Sequence, residues 1–123
     1  MKSCPFCALD AVREVWGNDQ VSAIRDAFPV SEGHTLIITR RHIETYFEAT
    51  DAEKAGIWRA VEAVKADLDS ASRPDGYNVG FNAGRAAGQT VMHLHVHVIP
   101  RWDGDVVDPR GGIRGAVPHK MKY

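Results

Sequence analysis

The chain has 123 residues, of which 44% are hydrophobic and 25% charged, and its formal net charge is −1. This composition is typical of a soluble globular protein, and the length suits one domain over residues 1–123 with its own core. The near-zero charge gives no electrostatic reason to expect binding to nucleic acids or to membrane surfaces, and no apolar run approaches the roughly 20 residues that span a bilayer.

The N-terminal segment carries both cysteines of the chain, Cys4 and Cys7, as a Cys-x-x-Cys pair. It lacks the apolar centre of a signal peptide, which predicts a cytoplasmic protein whose cysteines are metal-bound or reduced. A thioredoxin-like redox centre needs a strand before the first cysteine, and only three residues precede Cys4. The second interpretation is half of a zinc site completed by histidines, because no other cysteine is present. The candidate ligands are His34, His42, His93, His95, His97 and His119, and the residues alone leave this pair open.

The first half of the chain predicts a hairpin, a third strand and a helix. Strands are expected over residues 11–16 and 21–28 around the turn Gly17-Asn18-Asp19, and over residues 34–40. Thr50 and Glu53 match a capping box and begin a helix that extends to about Ser72. The apolar residues at helical spacing predict a core-facing stripe of Ile57, Trp58, Ala60, Val61, Val64 or Lys65, and Leu68.

The second half predicts a turn over residues 73–76, a strand over 77–82, a loop over 84–88 and a strand over 91–99. The tail from Arg101 to Tyr123 contains no clear element. Strands grouped around one long helix indicate an α+β domain with a mainly antiparallel sheet.

The last predicted strand contains the sequence His-Leu-His-Val-His at residues 93–97. Side chains alternate along a strand, so His93, His95 and His97 are expected on one face and the even-numbered apolar residues in the core. A strand rises about 3.3 Å per residue, whereas zinc–nitrogen bonds are only about 2 Å long. One metal ion therefore does not easily bind all three, and at least one histidine is left for another task. Imidazoles grouped on one face suit chemistry near neutral pH.

These residues resemble the histidine triad (HIT) family of nucleotidyl hydrolases and transferases. The resemblance rests on His-x-His-x-His followed by Val98 and Ile99, on Gly88-Gln89-Thr90, on the segment from Gly33, and on Arg41-His42-Ile43. It covers a core of residues 4–101, and residues 108–114 of the irregular tail, 102–123, are similar to the tails of bacterial members. It implies a HIT-like fold, with about five mainly antiparallel strands, one long helix and a short helix, and a homodimer.

The resemblance also implies roles for individual residues. His95, the middle histidine, is the expected nucleophile, and His97 and His34 are expected to support it. Four residues are expected to contact the phosphate: Gln89, Thr90, Asn82 and His97. Asp26 is expected to contact the ribose, and Phe6 and Ile24 are expected to line the base pocket. In zinc-containing members, the ligands match Cys4, Cys7, His42 and His93. Four protein ligands form a closed site, which predicts a structural zinc ion.

The implied function is a nucleotide-binding hydrolase or transferase that attacks an α-phosphate through a nucleotidyl-histidine intermediate. Candidate substrates are dinucleoside polyphosphates, favoured by residues 99–101 and the tail, nucleoside phosphoramidates and other conjugates of adenosine monophosphate. A non-catalytic nucleotide-binding regulatory module is the second hypothesis. A metalloenzyme of another fold, with His93 and His95 as open-site ligands, is the third, and it leaves Cys4 and Cys7 unexplained.

Overall fold

A computed structural model describes residues 4–123, and the first three residues, which contribute to the signal-peptide interpretation, lie outside the described part. One sheet has the strand order β1-β2-β3-β5-β4, and its pairings are antiparallel. Its strands are β1 (Glu14–Gly17), β2 (Val21–Arg25), β3 (Thr35–Thr39), β4 (Gly76–Gly80) and β5 (His95–Arg101). Helix α1 (Asp51–Ser72) is the single α-helix among residues 4–123. The expected α+β class, with five antiparallel strands and one long helix, is confirmed.

The expected second helix is not α-helical, since the other helical segments of residues 4–123 are short 3₁₀ turns. They are Ala11–Arg13, Tyr46–Glu48, Arg85–Ala87, Gly112–Ala116 and Pro118–Lys120. The first replaces the start of the predicted first strand, because the Asp10 side chain accepts a hydrogen bond from Val12 N and caps this turn. Two others lie in the tail that was expected to lack regular elements.

Helix α1 begins at the predicted capping box. The Thr50 side chain accepts from Glu53 N, and the Glu53 carboxylate accepts from Thr50 N. Hydrogen bonds from Arg41 lower the pKa of the buried Glu53 carboxyl, which keeps this group charged. Ile57, Ala60, Val64 and Leu68 are buried as expected. Trp58 is an exception at 43% exposure, because it lies beside the stripe and its indole donates to the Tyr46 hydroxyl.

The two faces of the sheet have different coverings. On one face, Val21, Ala23, Ile37, Leu94, Val96 and Val98 pack in one buried cluster with the apolar side of α1. On the other, Ile24, Leu36 and Ile38 form a smaller cluster against Phe6 and Leu9. The even-numbered residues of β5 are buried, as the alternation predicts. His95 and His97 consequently face the side with the smaller cluster, away from the helix.

Two strand boundaries differ from the prediction and affect the site. β5 begins at His95 instead of Val91, because residues 91–93 bend and Leu94 N donates to Ile43 O. β4 ends at Gly80, so Asn82 follows the strand instead of lying on it. No helix in residues 4–123 combines the length and the apolar character that crossing a bilayer requires.

Candidate active site and metal centre

Strand β5 presents His95 and His97 side by side above an apolar floor. His95 is paired with Ile38 and His97 with Leu36, and directly opposed residues of an antiparallel pair face the same side. The two imidazole ring centres are 5.2 Å apart, and the ring of Phe6 meets His95 edge-on at 5.1 Å. Ile24, the other predicted base-pocket residue, lies in the same floor and is 1% exposed.

A main-chain oxygen selects the tautomer of the neutral His95 ring. Its Nδ1 atom lies 2.8 Å from the carbonyl oxygen of His93. A carbonyl only accepts hydrogen bonds, so Nδ1 of His95 carries the proton and donates it to this oxygen. The remaining nitrogen, Nε2, then keeps an unprotonated lone pair in the neutral ring. This arrangement is the one that a nucleophilic imidazole requires.

The neighbouring ring of His97 belongs to a directed chain of hydrogen bonds. Val30 N donates to Nδ1 of His34 at 3.1 Å, so the proton of the neutral His34 ring is on Nε2. That Nε2 atom lies 2.9 Å from Nδ1 of His97 and donates to it. His97 must therefore carry its own proton on Nε2. The series of hydrogen bonds thus ends at the Nε2–H of His97, a donor on the ring next to His95.

Burial keeps the imidazole rings of His34 and His97 neutral at pH 7. Desolvation lowers the pKa of His97 to about 4, with smaller contributions from His95 and His34. Desolvation also lowers the pKa of His34, although the nearby Asp26 carboxylate opposes the change. The neutral forms are the ones that the directed hydrogen bonds require.

Asp26 is held beside this pair of histidines. Its main-chain N–H donates to His34 O at 2.9 Å, and its Oδ1 atom accepts from Phe28 N at 2.8 Å. Its Oδ2 atom is 3.5 Å from Nε2 of His34. The carboxylate thus lies at the end of β2, close to the two rings, with one oxygen already engaged by the main chain.

The loop before the triad is held by the side chain of Gln89. This residue is 3% exposed, its Oε1 atom accepts from Gly84 N, and its Nε2 atom donates to Glu44 O and Val91 O. These contacts engage both N–H bonds of the amide, so Gln89 has no free donor in this arrangement. Thr90, the next residue, is exposed, and so is Asn82 at the other end of the loop.

A second cluster joins the N-terminal turn to the segment that precedes β5. The potential ligand atoms of Cys4, Cys7, His42 and His93 all lie within 4.8 Å of one another. The Nδ1 atom of His93 is 3.3 Å from the sulfur of Cys4 and 3.5 Å from that of Cys7, and His42 Nδ1 is 3.0 Å from the latter. Two thiols and two imidazoles make up a set that suits tetrahedral zinc. His119 is exposed in the tail and does not belong to this cluster.

Hydrogen bonding supports the fit of a metal ion to this cluster. The fully buried His93 donates from Nε2 to the main-chain oxygen of Thr39 at 2.6 Å. Its Nδ1 atom therefore offers a lone pair towards the two sulfurs. A metal-bound imidazole is usually oriented by such a hydrogen bond from the ring nitrogen that does not bind the metal. Hydrogen bonding with Cys4 raises the pKa of the Cys7 thiol, so a cation would be needed to stabilise paired thiolates.

Proximity alone also groups Asp26, His34 and His97, but their hydrogen bonds oppose a metal ion. The ligand atoms of these residues again lie within 4.8 Å of one another. The Nε2 atom of His34 is protonated, because Val30 N occupies its Nδ1 lone pair. A cation bound to Nε2 of His34 would require the ring proton to lie on Nδ1. That Nδ1–H would then face the Val30 N–H, and neither group could accept. The cysteine-containing cluster is therefore the better metal centre of the two.

Sequence reasoning missed the main-chain groups that orient the site. Thr39 O, His93 O and Val30 N each select the tautomer of one histidine. Backbone groups are the same in every residue type, so no residue pattern could have identified these partners.

Comparisons with known proteins identify sequences that are similar to this chain. Residues 12–104 match the model of the HIT domain. An AP-4-A phosphorylase of Mycobacterium tuberculosis is 37% identical over 86 residues, which cover 69% of this chain and 44% of that protein.

Solved structures of similar sequence confirm the HIT-like fold. A hypothetical histidine triad nucleotide-binding protein of Sulfolobus tokodaii matches with a TM-score of 0.75 and 40% identity, over 82% of this chain and 70% of that one. A zinc-bound histidine triad family protein of Mycobacterium smegmatis matches with a TM-score of 0.77 and 31% identity, over 86% and 80% of the two chains.

Proposed function

This chain belongs to the HIT domain family, and on that premise we propose that it is a nucleotide-binding hydrolase or transferase acting at an α-phosphate through His95. The observation that carries the proposal is the hydrogen bond from His95 Nδ1 to His93 O at 2.8 Å, which leaves the Nε2 lone pair free. The relative named AP-4-A phosphorylase supports a nucleotide conjugate as the substrate.

In the proposed reaction, the Nε2 lone pair of His95 forms a bond to the α-phosphorus while the bond to the leaving group breaks. The leaving group departs with that electron pair, and a nucleotidyl-histidine intermediate remains. Attack by water then releases the nucleoside monophosphate and the free imidazole. The modified ring is cationic with its proton on Nδ1, so the contact to His93 O stabilises it more strongly than the neutral ring.

The charge that develops on the phosphoryl oxygens needs donors fixed in advance. The Nε2–H of His97 is the first proposed donor, because His34 holds the ring in that tautomer. The exposed side chains of Thr90 and Asn82 are proposed as further contacts. Gln89 is proposed to act by holding the loop between them in shape, since its own amide is engaged.

The nucleoside is proposed to lie over the floor of the sheet. Asp26 would accept from the ribose hydroxyls, for which Oδ2 is the available oxygen. Phe6 and Ile24 would contact the base, since both belong to the apolar cluster on this face.

We propose a structural zinc ion on Cys4, Cys7, His42 and His93, as in a zinc-containing bacterial-type member. The zinc-bound relative from Mycobacterium smegmatis and the hydrogen bond from His93 to Thr39 O support it. A closed set of four ligands would stabilise the fold instead of taking part in the chemistry. His93 would then hold the strand end that carries His95.

Dinucleoside polyphosphates are the preferred substrate class, and nucleoside phosphoramidates are the alternative within the family. The decisive experiment is mass spectrometry of protein denatured during turnover of each substrate, which should reveal a nucleotidyl adduct on the peptide containing His95. Calorimetric binding of adenosine monophosphate without any adduct or turnover would instead favour the non-catalytic module.

A homodimer is also proposed. β4 is an edge strand of the sheet, and the exposed Phe47 packs in the same aromatic group as Tyr46, Phe81 and Trp58. An edge strand and an exposed apolar patch are both features that a second copy would cover. Analytical ultracentrifugation at micromolar concentration tests this assembly, and a purely monomeric species contradicts it. The cytoplasmic location and the single domain remain predictions.

A further inference from the structure

Cys4 and Cys7 have the geometry of a dithiol that can close into a disulfide. Cys7 N donates to Cys4 O at 3.2 Å, which closes a four-residue turn. The α-carbons at the ends of such a turn are less than about 7 Å apart, close to the range that a disulfide bridges. The two sulfurs lie within 4.8 Å of each other, and Cys7 is exposed. A small oxidant in solution can therefore reach one thiol while the second is close enough to react with it.

Two residues, His93 and Phe6, connect this pair to the candidate nucleophile. Nδ1 of His93 lies 3.3 Å from the sulfur of Cys4, while the main-chain oxygen of His93 accepts from Nδ1 of His95. Phe6, which lies between the two cysteines in sequence, contacts the His95 ring edge-on. A movement of the N-terminal turn would thus reach His95 along two short routes.

We propose that Cys4 and Cys7 form a peroxide-sensitive site, at which disulfide formation releases the metal ion and disturbs the orientation of His95. Disulfide formation would remove two of the four ligand atoms and leave only His42 and His93. The Nδ1 atom of His93 would lose both of its sulfur neighbours, and Phe6 would shift with the turn.

The oxidation balances with hydrogen peroxide as the only oxidant. The thiolate of Cys7 attacks one peroxide oxygen, the O–O bond breaks, and the products are a sulfenic acid and water once the leaving oxygen takes up a proton. The thiolate of Cys4 then attacks the sulfenic sulfur, and the S–O bond breaks with loss of hydroxide, which is protonated to water. The two sulfurs lose two electrons in total and the peroxide gains them. Reduction by an external dithiol reverses the change.

The test uses the full chain after loading with one equivalent of zinc and treatment with hydrogen peroxide. The expected results are a mass decrease of two hydrogens, release of zinc to a chromogenic chelator in equal amount, and a changed NMR signal of the His95 Nδ1–H. Loss of activity by about tenfold or more should accompany them, and this last readout rests on the proposed function. Dithiothreitol with added zinc should restore all four.

The control is the double variant Cys4→Ser/Cys7→Ser, which lacks two of the zinc ligands and is treated with hydrogen peroxide without zinc loading; its activity and His95 signal are compared before and after treatment. Equal peroxide sensitivity in this variant would assign the effect to other residues, such as methionine, and would overturn the proposal. Disulfide formation and zinc release that leave the His95 signal unchanged would overturn the connection to the nucleophile. Failure to take up zinc would contradict both the metal centre and this inference. A protein without turnover still reports mass, zinc and the His95 signal, so the proposed function and this inference can fail separately.

Discussion

The Nε2 atom of His34 lies 2.9 Å from Nδ1 of His97, and this hydrogen bond joins the residue just before β3 to one within β5. Its direction is set by the N–H of Val30, which occupies the other nitrogen of His34. His34 is thus placed to act through His97, as a positioning residue.

Replacement of His34 tests this relationship. His34→Leu removes the donor, and we expect kcat to fall by about 100-fold with a small change in KM. His34→Gln retains an N–H near the same position and should recover part of the loss. Rate measurements with a dinucleoside polyphosphate check both variants. Equal rates for the Gln and Leu variants would contradict a donor role.

His95→Ala should abolish turnover, with a loss of about 10³-fold or more, because the alanine side chain has no nitrogen that could attack the phosphorus. Mass spectrometry should detect no nucleotidyl adduct. His119→Ala is the matched control, since His119 is an exposed histidine in the tail, and it should behave like the wild type. An adduct that persists without His95 would exclude it as the nucleophile.

Acid should destabilise the fold through His97. Its pKa is about 4 in the folded chain and 6.5 in the unfolded chain, so the unfolded state binds more protons between these values. The stabilisation is fully present above pH 6.5 and is lost as the pH falls towards 4. It amounts to roughly 3 kcal/mol.

The measurement is urea unfolding of the wild type and of His97→Asn from pH 7 to pH 4. The metal ligands are the same in both proteins, so the loss of a bound metal ion on acidification contributes equally to both curves. The variant should lose less stability on acidification. Parallel curves would show that this histidine does not carry the effect.

The metal centre predicts about one zinc ion per chain in purified protein. Cys7→Ser should reduce the zinc content strongly and lower the melting temperature by several degrees or more, since the bound ion contributes to folding stability. His34→Gln should retain the zinc, because the hydrogen bonds of His34 oppose metal binding. Elemental analysis decides between the two clusters. Loss of zinc in the His34 variant but not in the Cys7 variant would reverse the assignment.

Gln89 is predicted to stabilise the loop before the triad. Gln89→Leu removes the partner of the Gly84 N–H and of Glu44 O, two part-buried hydrogen bonds, which should cost about 1–3 kcal/mol of unfolding free energy. Thr90→Val, at the adjacent exposed position, should change stability by less than about 0.5 kcal/mol while reducing activity. Chemical denaturation measures both. An unchanged stability in the Gln89 variant would favour direct contact with the phosphate.

The parts of the fold that follow local patterns could be predicted from the sequence. The capping box at Thr50, the apolar side of α1 and the alternation along β5 all depend on residues that are close in the chain. The strand order could not be predicted in the same way, because the pairing of β3 with β5 joins segments about 60 residues apart in sequence.

The candidate site likewise has features that local patterns predict and features that depend on tertiary contacts. The histidine spacing indicates that at least one histidine has a separate task, and in the structure His93 lies before the strand, next to the cysteines. The strand was nevertheless predicted to start four residues too early. Its actual start depends on the hydrogen bond from Leu94 N to Ile43 O, a tertiary contact that no local pattern encodes.

The orienting partners of His34, His93 and His95 are all main-chain groups. Substitution of Val30 or Thr39 therefore need not remove these contacts, provided that the backbone keeps its path. We expect tolerance to substitution around the histidines and intolerance to insertions or deletions in the segments that follow β2 and precede β5. The path of the backbone thus determines the tautomers of these histidines, and with them the chemistry of the site, as much as the identity of the surrounding residues does.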